Sequence, residues 1–197
     1  MARSVCVFCG SQYGSDPAFR RVASALGEML GATGFTVIYG GGHVGLMGAV
    51  ADAAMAAGGE VIGLIPTRLL EREVGHRAIT ELITTRDMFE RKQQMVDRAD
   101  AFVILPGGLG TLDELLDVIT LRQLGYHDKP IVLVNPDGYW DPFIALVDQI
   151  VGHSFALPGA RTLYRVVDTV DQVLPALGVA QPPSAPLRVV QGDYRRT

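Results

Sequence analysis

The sequence predicts an α/β protein with a doubly wound, Rossmann-like parallel sheet and helices on both of its faces. Short apolar runs rich in β-branched residues alternate along the chain with longer segments of helical pattern. These runs are almost continuously apolar, as expected for parallel strands that helices cover on both sides. Ligands of such folds bind beyond the carboxyl ends of the strands, and two glycine-rich segments stand directly after apolar runs.

Six strands and the helices between them are predicted in chain order. Strands are expected at 5–10, 35–40, 60–66, 101–106, 130–135 and 163–167. Asp16 and Pro17 open the first helix, because aspartate is a favourable N-cap and proline suits the first helical position. Further helices are expected after the glycines at 40–48 and over 87–98, 112–124, 139–153 and 168–177. The stretch 67–85 has no clear period and is predicted to be irregular.

Length and composition fit one domain over residues 1–178, followed by a Pro-rich tail over 179–197 that is expected to be loose or to lie on a neighbour. The net charge is −4, and the scattered basic residues indicate no nucleic-acid surface. No apolar run approaches the roughly 20 residues of a membrane span, and the N-terminus does not read as a signal peptide. We therefore expect a cytoplasmic protein with no membrane partner.

The two cysteines, Cys6 and Cys9, have the C-x-x-C spacing of redox and metal sites. They lie in the first predicted strand, whereas a redox pair sits at a helix N-terminus, where the thiol pKa falls. A structural zinc site would need two further ligands. The histidines are dispersed along the sequence, and the one in the first glycine loop is interpreted as a loop residue; they are His43, His76, His127 and His153. We predict structural cysteines, no metal site and no cofactor.

The first glycine-rich loop, YGGGHVGLMG, follows the second predicted strand. Gly40, Gly42 and Gly45 match the G-x-G-x-x-G pattern of dinucleotide sites. In those sites the motif follows the first strand, and the ribose-binding acid lies at the far end of a strand, whereas Glu60 opens one. Binding of a phosphate by the loop, with Gly41, Gly42 and Gly45 as contacts, is therefore favoured over binding of NAD.

The second loop, PGGLGTLDE, occupies residues 106–114. Thr111 and Glu114 have the spacing of a capping box, in which two side chains satisfy the backbone amides at the start of a helix. A cap does not require the surrounding glycines, whereas a nest of amides that holds a phosphate does. The candidate binding residues of this loop are Gly107, Gly108, Leu109, Gly110, Thr111, Leu112 and Asp113.

Two cations, Arg91 and Lys92, stand in the helix that precedes the strand leading into this loop. An ordinary solvated helix face would account for them. If Arg91 instead points into the crevice, it meets Glu114 and any bound anion, which a guanidinium can hold bidentately.

The combination of GGGxxGLMG, an Arg-Lys pair and PGGxGTxxE resembles the Lonely Guy (LOG) family of cytokinin riboside 5′-monophosphate phosphoribohydrolases, long labelled lysine decarboxylases. The resemblance extends from VCVFCGS to about residue 153 and includes LGYHDKPIVLVNPDGYW. It implies hydrolysis of the N-glycosidic bond of a nucleoside 5′-monophosphate by a homodimer or larger homo-oligomer. Amino-acid decarboxylation usually needs pyridoxal phosphate on a lysine, and no such site is evident.

The family's catalytic arginine and glutamate correspond to Arg91 and Glu114. Glu114 would stabilise an oxocarbenium-like state or activate water, and Arg91 would bind substrate and keep Glu114 ionised. An apolar pocket for the adenine substituent is expected from Met88, Phe89 and the segment 69–83. The other substrate contacts implied by position are Met88, Lys92, residues 108–111, Thr120, Glu73 and Ser11.

Two other functions fit the same loops. A molybdenum-cofactor carrier or nucleotide-binding protein of this fold would keep the glycines without needing both Arg91 and Glu114. A general AMP hydrolase would differ only in the base pocket, which the sequence defines least.

Overall fold

Seven strands and seven helices alternate along the described chain. The protein is described by a computed structural model over residues 3–70 and 75–178. The strands are β1 (Ser4–Phe8), β2 (Thr36–Tyr39), β3 (Val61–Pro66), β4 (Glu81–Thr85), β5 (Ala101–Ile104), β6 (Ile131–Val134) and β7 (Arg165–Val167). The helices are α1 (Pro17–Ala32), α2 (Gly45–Ala56), α3 (Thr67–Leu70), α4 (Met88–Arg98), α5 (Leu109–Gln123), α6 (Asp141–Gly152) and α7 (Val173–Ala176). Short 3₁₀ helices cover Pro136–Gly138, Pro158–Thr162 and Val170–Gln172.

The strands form one all-parallel sheet in the order β4-β3-β2-β1-β5-β6-β7. Successive strands step outward from β1 as far as β4, and β5 then returns to the other side of β1. The strand order therefore reverses between β1 and β5, and the loops that follow these two strands bound a crevice at the carboxyl edge of the sheet. The prediction of a doubly wound, Rossmann-like fold is confirmed.

Each face of the sheet carries its own hydrophobic core. Alternate residues of β1 supply both cores, because successive side chains of a strand point to opposite faces. Val5 and Val7 pack with α1, α2 and α7, whereas Cys6 and Phe8 pack with α4, α5 and α6. This arrangement explains why the strands read as continuous apolar runs.

Local sequence accounts for the starts of two long helices. The carboxylate of Asp16 accepts a hydrogen bond from the backbone N–H of Ala18 at 2.7 Å, so the predicted cap of α1 is confirmed. Asp87 caps α4 in the same way through the N–H of Glu90 at 2.9 Å. Among residues 3–70 and 75–178, no helix is long and apolar enough to span a bilayer.

The predictions for the stretch 67–85 and for the last helix are wrong. The stretch expected to be irregular contains β4, an edge strand that pairs only with β3 and is partly exposed. Because its ends, Glu81 and Thr85, are polar, β4 does not form the continuous apolar run that predicts a buried strand. The last helix is also shorter than expected, because a 3₁₀ turn replaces its beginning. The predicted tail, 179–197, lies outside the described residues.

Candidate active site

Three loops pack together at the carboxyl edge of the sheet. The N–H of Gly10, after β1, donates to the carbonyl of Pro106, after β5, at 3.0 Å. The N–H of Leu46, at the start of α2, donates to the carbonyl of Gly10 at 3.0 Å. Gly45 has a φ of +71°, and a Cβ there would lie 2.3 Å from the carbonyl carbon of Ser11. Only glycine combines that backbone conformation with so close an approach.

Helix α5 begins within the second glycine-rich loop. Gly108 is its N-cap and Leu109 its first residue, so Thr111 lies inside the first turn. Of the two interpretations of Thr111 and Glu114, the capping box is therefore excluded, and the predicted helix start at Leu112 is wrong. Glu114 is thus free to make a contact with another element of the fold.

The three glycines of this loop have different surroundings. A Cβ on Gly107 would lie 2.1 Å from the hydroxyl of Thr111, so packing alone requires a glycine there. A Cβ on Gly108 or Gly110 would meet nothing within 4 Å. Gly110 lies inside the helix, where glycine costs about 1 kcal/mol relative to alanine. Protein packing does not explain these two glycines, which leave open space at the start of α5.

Glu114 pairs with Arg91 across the crevice. The Nη1 atom of Arg91 lies 3.1 Å from Oε1 of Glu114, and each side chain is only 9% exposed. The Nε of Arg91 donates to the carbonyl of Leu64, at the end of β3, at 3.0 Å. A Cβ on Gly40 would lie 2.3 Å from Nη2 of Arg91, so the first glycine-rich loop makes room for the guanidinium.

Burial dominates the electrostatics of Glu114. Desolvation raises the pKa of its carboxyl from 4.5 to about 7, although Arg91 acts in the opposite direction. Arg91 thus favours the ionised form, as expected of a nearby cation, but burial outweighs it and leaves the carboxyl partly protonated near neutral pH. A carboxyl with a pKa close to the working pH can accept and return a proton, which is what acid–base catalysis requires.

A cavity of about 230 Å³ opens above the ion pair. A second cavity, of about 270 Å³, lies on the other side of the second glycine-rich loop. Tyr139 lines the second cavity, and its hydroxyl donates to the carbonyl of Gly107 at 2.5 Å. The first cavity is lined by Cys9, Ser11, Met47, Leu69, Met88, Arg91, Gly108, Leu109, Gly110, Thr111 and Glu114.

Part of the predicted contact set lies at the first cavity. The predicted residues among its lining are Ser11, Met88, Arg91, Gly108, Leu109, Gly110, Thr111 and Glu114. Gly107 lines the second cavity instead. Leu69 also lines this cavity and belongs to the segment 69–83, from which an apolar pocket is expected. The sequence pattern did not indicate Cys9, which stands beside Gly10 after β1, or Met47, which lies in the first turn of α2.

Other predicted contacts do not line the first cavity, and their role in binding stays a prediction. Lys92 is paired with Asp113, with Nζ 3.1 Å from the carboxylate. Leu112 packs against the core under α5, and Thr120 is exposed further along that helix. Gly41, Gly42 and Gly45 are buried in the first glycine-rich loop. Glu73 lies outside the described residues.

The cysteines behave as predicted, and two of the histidines lie close together. Cys6 and Cys9 are buried and free, and burial raises the pKa of both thiols, so they are structural. His43 and His76 are far apart along the sequence, but the fold brings their ring centroids within 4.3 Å of each other. The fold unites residues that are distant in sequence, and no local motif signals this contact.

Sequence comparisons identify the relatives of the chain. A family model described as "Possible lysine decarboxylase" matches residues 47–177. The chain is 43% identical over 175 residues to the probable cytokinin riboside 5′-monophosphate phosphoribohydrolase LOGL2 of Oryza sativa subsp. japonica, covering 89% of this chain and 72% of the relative. It is 42% identical over 175 residues to LOG3 of Arabidopsis thaliana, a cytokinin riboside 5′-monophosphate phosphoribohydrolase, covering 89% and 81%. The chain belongs to the LOG family.

The fold of this LOG family member is also found in proteins of other names. The molybdenum cofactor binding protein from Rippkaea orientalis superposes with a TM-score of 0.68 at 21% identity, covering 90% of this chain and 96% of the other. The Moco carrier protein from Chlamydomonas reinhardtii gives a TM-score of 0.68 at 20% identity, with the same coverage. These likenesses are of fold alone.

Proposed function

We propose that the chain hydrolyses the N-glycosidic bond of cytokinin riboside 5′-monophosphates, releasing the free base and ribose 5-phosphate. The observation that carries this proposal is the buried Arg91–Glu114 pair at a cavity edged by the second glycine-rich loop. The names of the relatives at 42–48% identity support the same activity.

Glu114 suits the charge that develops during this reaction. Cleavage of an N-glycosidic bond builds positive charge on the sugar, which a carboxylate beside the anomeric carbon stabilises. In its ionised form Glu114 can also accept a proton from the attacking water, whose oxygen bonds to the anomeric carbon. The base leaves with the bonding electron pair and takes up one proton from solvent, Glu114 returns its proton to solvent, and the sum is the addition of one water across the N-glycosidic bond. Arg91, held by the Leu64 carbonyl, positions Glu114 and binds the sugar or phosphate.

The beginning of α5 is suited to the 5′-phosphate. Backbone N–H groups at a helix N-terminus attract anions, and Gly108 and Gly110 leave their surroundings open. Ser11 and Thr111, which line the same cavity, supply hydroxyl donors. The phosphate can then position the sugar over Glu114, so a nucleoside without it should react poorly. We retain Lys92, Asp113, Thr120, Glu73 and the first glycine-rich loop as proposed outer contacts.

The rim of the cavity supports an apolar base substituent and a second subunit. Met88 and Leu109 line the cavity and are 38% and 86% exposed, and Phe89, the neighbour of Met88 on α4, is 81% exposed. We propose that a homodimer covers part of this rim and that the N6 group of the substrate packs there. Light scattering on the wild type and on Phe89→Asp tests this proposal. A dimer that Phe89→Asp weakens supports it, and a wild-type monomer contradicts it.

The lysines do not favour a decarboxylase that uses pyridoxal phosphate. The chain has two, Lys92 and Lys129. Lys92 pairs with Asp113 and Asp117, and Lys129 donates to the carbonyl of Val96 at 2.7 Å. A Schiff-base lysine must be neutral to attack, whereas the hydrogen bonds that Lys92 donates to Asp117 and Asp113 raise its pKa. A cytoplasmic location and the absence of a nucleic-acid partner are part of the same proposal, and the free cysteines agree with a reducing compartment.

Product analysis by chromatography tests the function. Purified protein is given AMP, N6-isopentenyladenosine monophosphate and the corresponding nucleoside. Release of base and ribose 5-phosphate from the monophosphates but not from the nucleoside is expected. Glu114→Gln should lose this activity, whereas Asp117→Asn, the matched control one turn further along α5, should keep it.

Two outcomes would favour another function. Faster cleavage of AMP than of the N6-modified nucleotide would indicate a general AMP hydrolase. Binding of nucleotides with no release of base, by the wild type as well as by Glu114→Gln, would contradict the hydrolase and indicate a carrier.

A further inference from the structure

A second cluster of polar side chains lies outside the proposed active site. It consists of His43 in the first glycine-rich loop, Asp52 on α2 and His76 after the undescribed residues 71–74. The Nε2 atom of His76 lies 2.8 Å from Oδ1 of Asp52, and the rings of His43 and His76 are 4.3 Å apart. One nitrogen or oxygen from each side chain lies within 4.8 Å of the other two.

We propose that His43, Asp52 and His76 bind a divalent transition-metal ion of the Zn²⁺ type. Two imidazoles and one carboxylate form a ligand set suited to zinc and its neighbours in the periodic table, and unsuited to Mg²⁺ or Ca²⁺, which prefer oxygen. Three protein ligands leave a fourth position for water. None of the three residues lines the cavity above Glu114, so the site is separate from the proposed hydrolase centre.

The burial of the three side chains fits a site with one fixed and two adjustable ligands. The His76 side chain is 4% exposed and its position is set by packing, whereas the Asp52 side chain is 62% exposed. His43 is exposed on its loop. Tetrahedral coordination at about 2.0–2.1 Å places ligand atoms about 3.3 Å apart. Small rotations of the two exposed side chains can therefore close the present spacing around an ion.

Metal binding changes the tautomer of His76. At present its Nδ1 accepts a contact from the N–H of Ala78 at 3.4 Å, so the ring proton lies on Nε2 and faces Asp52. To ligate through Nε2, the neutral ring must carry its proton on Nδ1 and give up the Ala78 contact. That contact is at the long limit for a hydrogen bond, so little is lost. The carboxylate of Asp52 exchanges a hydrogen bond for a metal bond.

The ion would fasten two segments that already touch. Gly42 and Gly75 form an isolated antiparallel bridge, and the N–H of His76 donates to the carbonyl of Gly41 at 2.9 Å. A metal held by His43, Asp52 and His76 adds a side-chain connection beside these backbone bonds. It should therefore raise the stability of the folded state in proportion to the occupancy of the site.

Calorimetric titration with ZnCl₂ and thermal unfolding test the site, with tag-free protein in both cases. The wild type is expected to bind one Zn²⁺ with a micromolar Kd, and an excess of about a hundredfold over Kd should raise Tm by on the order of 5 °C. His43→Ala and Asp52→Asn should each weaken binding by at least about tenfold and remove the shift in Tm. His153→Ala, which removes an exposed histidine on another element, is the matched control and should bind as the wild type does.

Three results would overturn the proposal. They are no zinc binding by the wild type, equal binding by His43→Ala, and an equal shift in Tm with MgCl₂. Because the two variants alter exposed side chains, misfolding is not expected, and their Tm values without metal check this directly. Hydrolysis of the nucleotide is a separate measurement, so failure of the metal site leaves the proposed function unaffected.

Discussion

Two neighbouring ion pairs connect α4 to α5, and they differ in burial. Arg91 and Glu114 face the crevice and are each 9% exposed at the side chain. Lys92, the next residue, reaches Asp117 at 2.6 Å on the outer side, where the side chains are 20% and 41% exposed. Consecutive helical residues point about 100° apart, which places one cation of the pair toward the cavity and the other toward solvent.

The difference shows that position in the fold, and not charge pattern, assigns a role to each pair. Both pairs combine one cation of α4 with one acid of α5. In the buried pair, desolvation raises the pKa of the Glu114 carboxyl to about 7. Screening by water limits an exposed pair to about 1 kcal/mol or less. Four predictions separate the pairs.

Removal of the buried cation should have the largest effect. Arg91→Met leaves the Glu114 carboxyl without its partner and the Leu64 carbonyl without its donor. Loss of one member of a buried pair costs about 3–5 kcal/mol in free energy of unfolding. Lys92→Met, the matched change one residue away, should cost less than about 1 kcal/mol. Urea denaturation at pH 8 measures both, and equal losses would refute the distinction.

Exchange of the two cation types should affect catalysis at only one position. Arg91→Lys keeps the charge but loses the planar guanidinium and the Nε bond to Leu64. We expect kcat/KM to fall by about 10²–10³-fold, as when one positioned donor is removed from an active site. Lys92→Arg should stay within about tenfold of the wild type, because its partners on α5 are partly exposed. A comparable fall for Lys92→Arg would mean that Lys92 is as important to catalysis as Arg91 and is more than an outer contact.

The pH dependence of stability should reveal Glu114. Its folded pKa of about 7 lies above the ordinary 4.5, so between these values the folded protein holds a proton that the unfolded chain has released. The contribution of Glu114 to the free energy of unfolding is therefore greatest below pH 4.5. It decreases by about 3 kcal/mol as the pH rises from 4.5 through 7. Glu114→Gln should lack this decline, whereas Asp117→Asn should keep it. If denaturation at pH 5 and pH 8 gives the same change in free energy of unfolding for the wild type and Glu114→Gln, the raised pKa of Glu114 is contradicted.

Salt should affect the outer pair alone, and this is the smallest effect. The coupling energy of Lys92 and Asp117 from a double-mutant cycle with Lys92→Met and Asp117→Asn should be below about 1 kcal/mol. It should approach zero in 1 M NaCl, where the screening length is about 3 Å. The corresponding coupling of Arg91 and Glu114 should keep most of its value. A salt-sensitive inner pair would mean that water enters the crevice.

The sequence was sufficient to predict every strand of the sheet except the edge strand β4. Apolar runs identified six of the seven strands, because burial on both faces removes polar residues from a parallel strand. It missed β4, whose pairing with β3 alone leaves polar residues at both ends. The cap at Asp16 was predictable since it depends on adjacent residues only. The start of α5 was not, because Thr111 and Glu114 have capping-box spacing by coincidence.

At the candidate site, the sequence indicated two residues that lie together but not the surroundings in which they meet. Arg91 and Glu114 were selected from motifs, and the structure brings them within 3.1 Å. The pKa of Glu114 depends on how much protein surrounds it, which no local pattern records. The contact between His43 and His76 likewise arises from the pairing of distant loops. Such quantities belong to the packed structure.

The space that Gly40 leaves for Arg91 links two motifs that look independent in the sequence. The Cβ of any side chain at position 40 would lie only 2.3 Å from Nη2 of Arg91 and would clash with it. The first glycine-rich loop therefore forms part of the space that holds the Arg91 guanidinium, whether or not the loop contacts substrate. In a related protein without the arginine, this steric constraint on position 40 would be absent. A residue larger than glycine at position 40 would therefore indicate that the arginine, and any function that depends on it, has been lost.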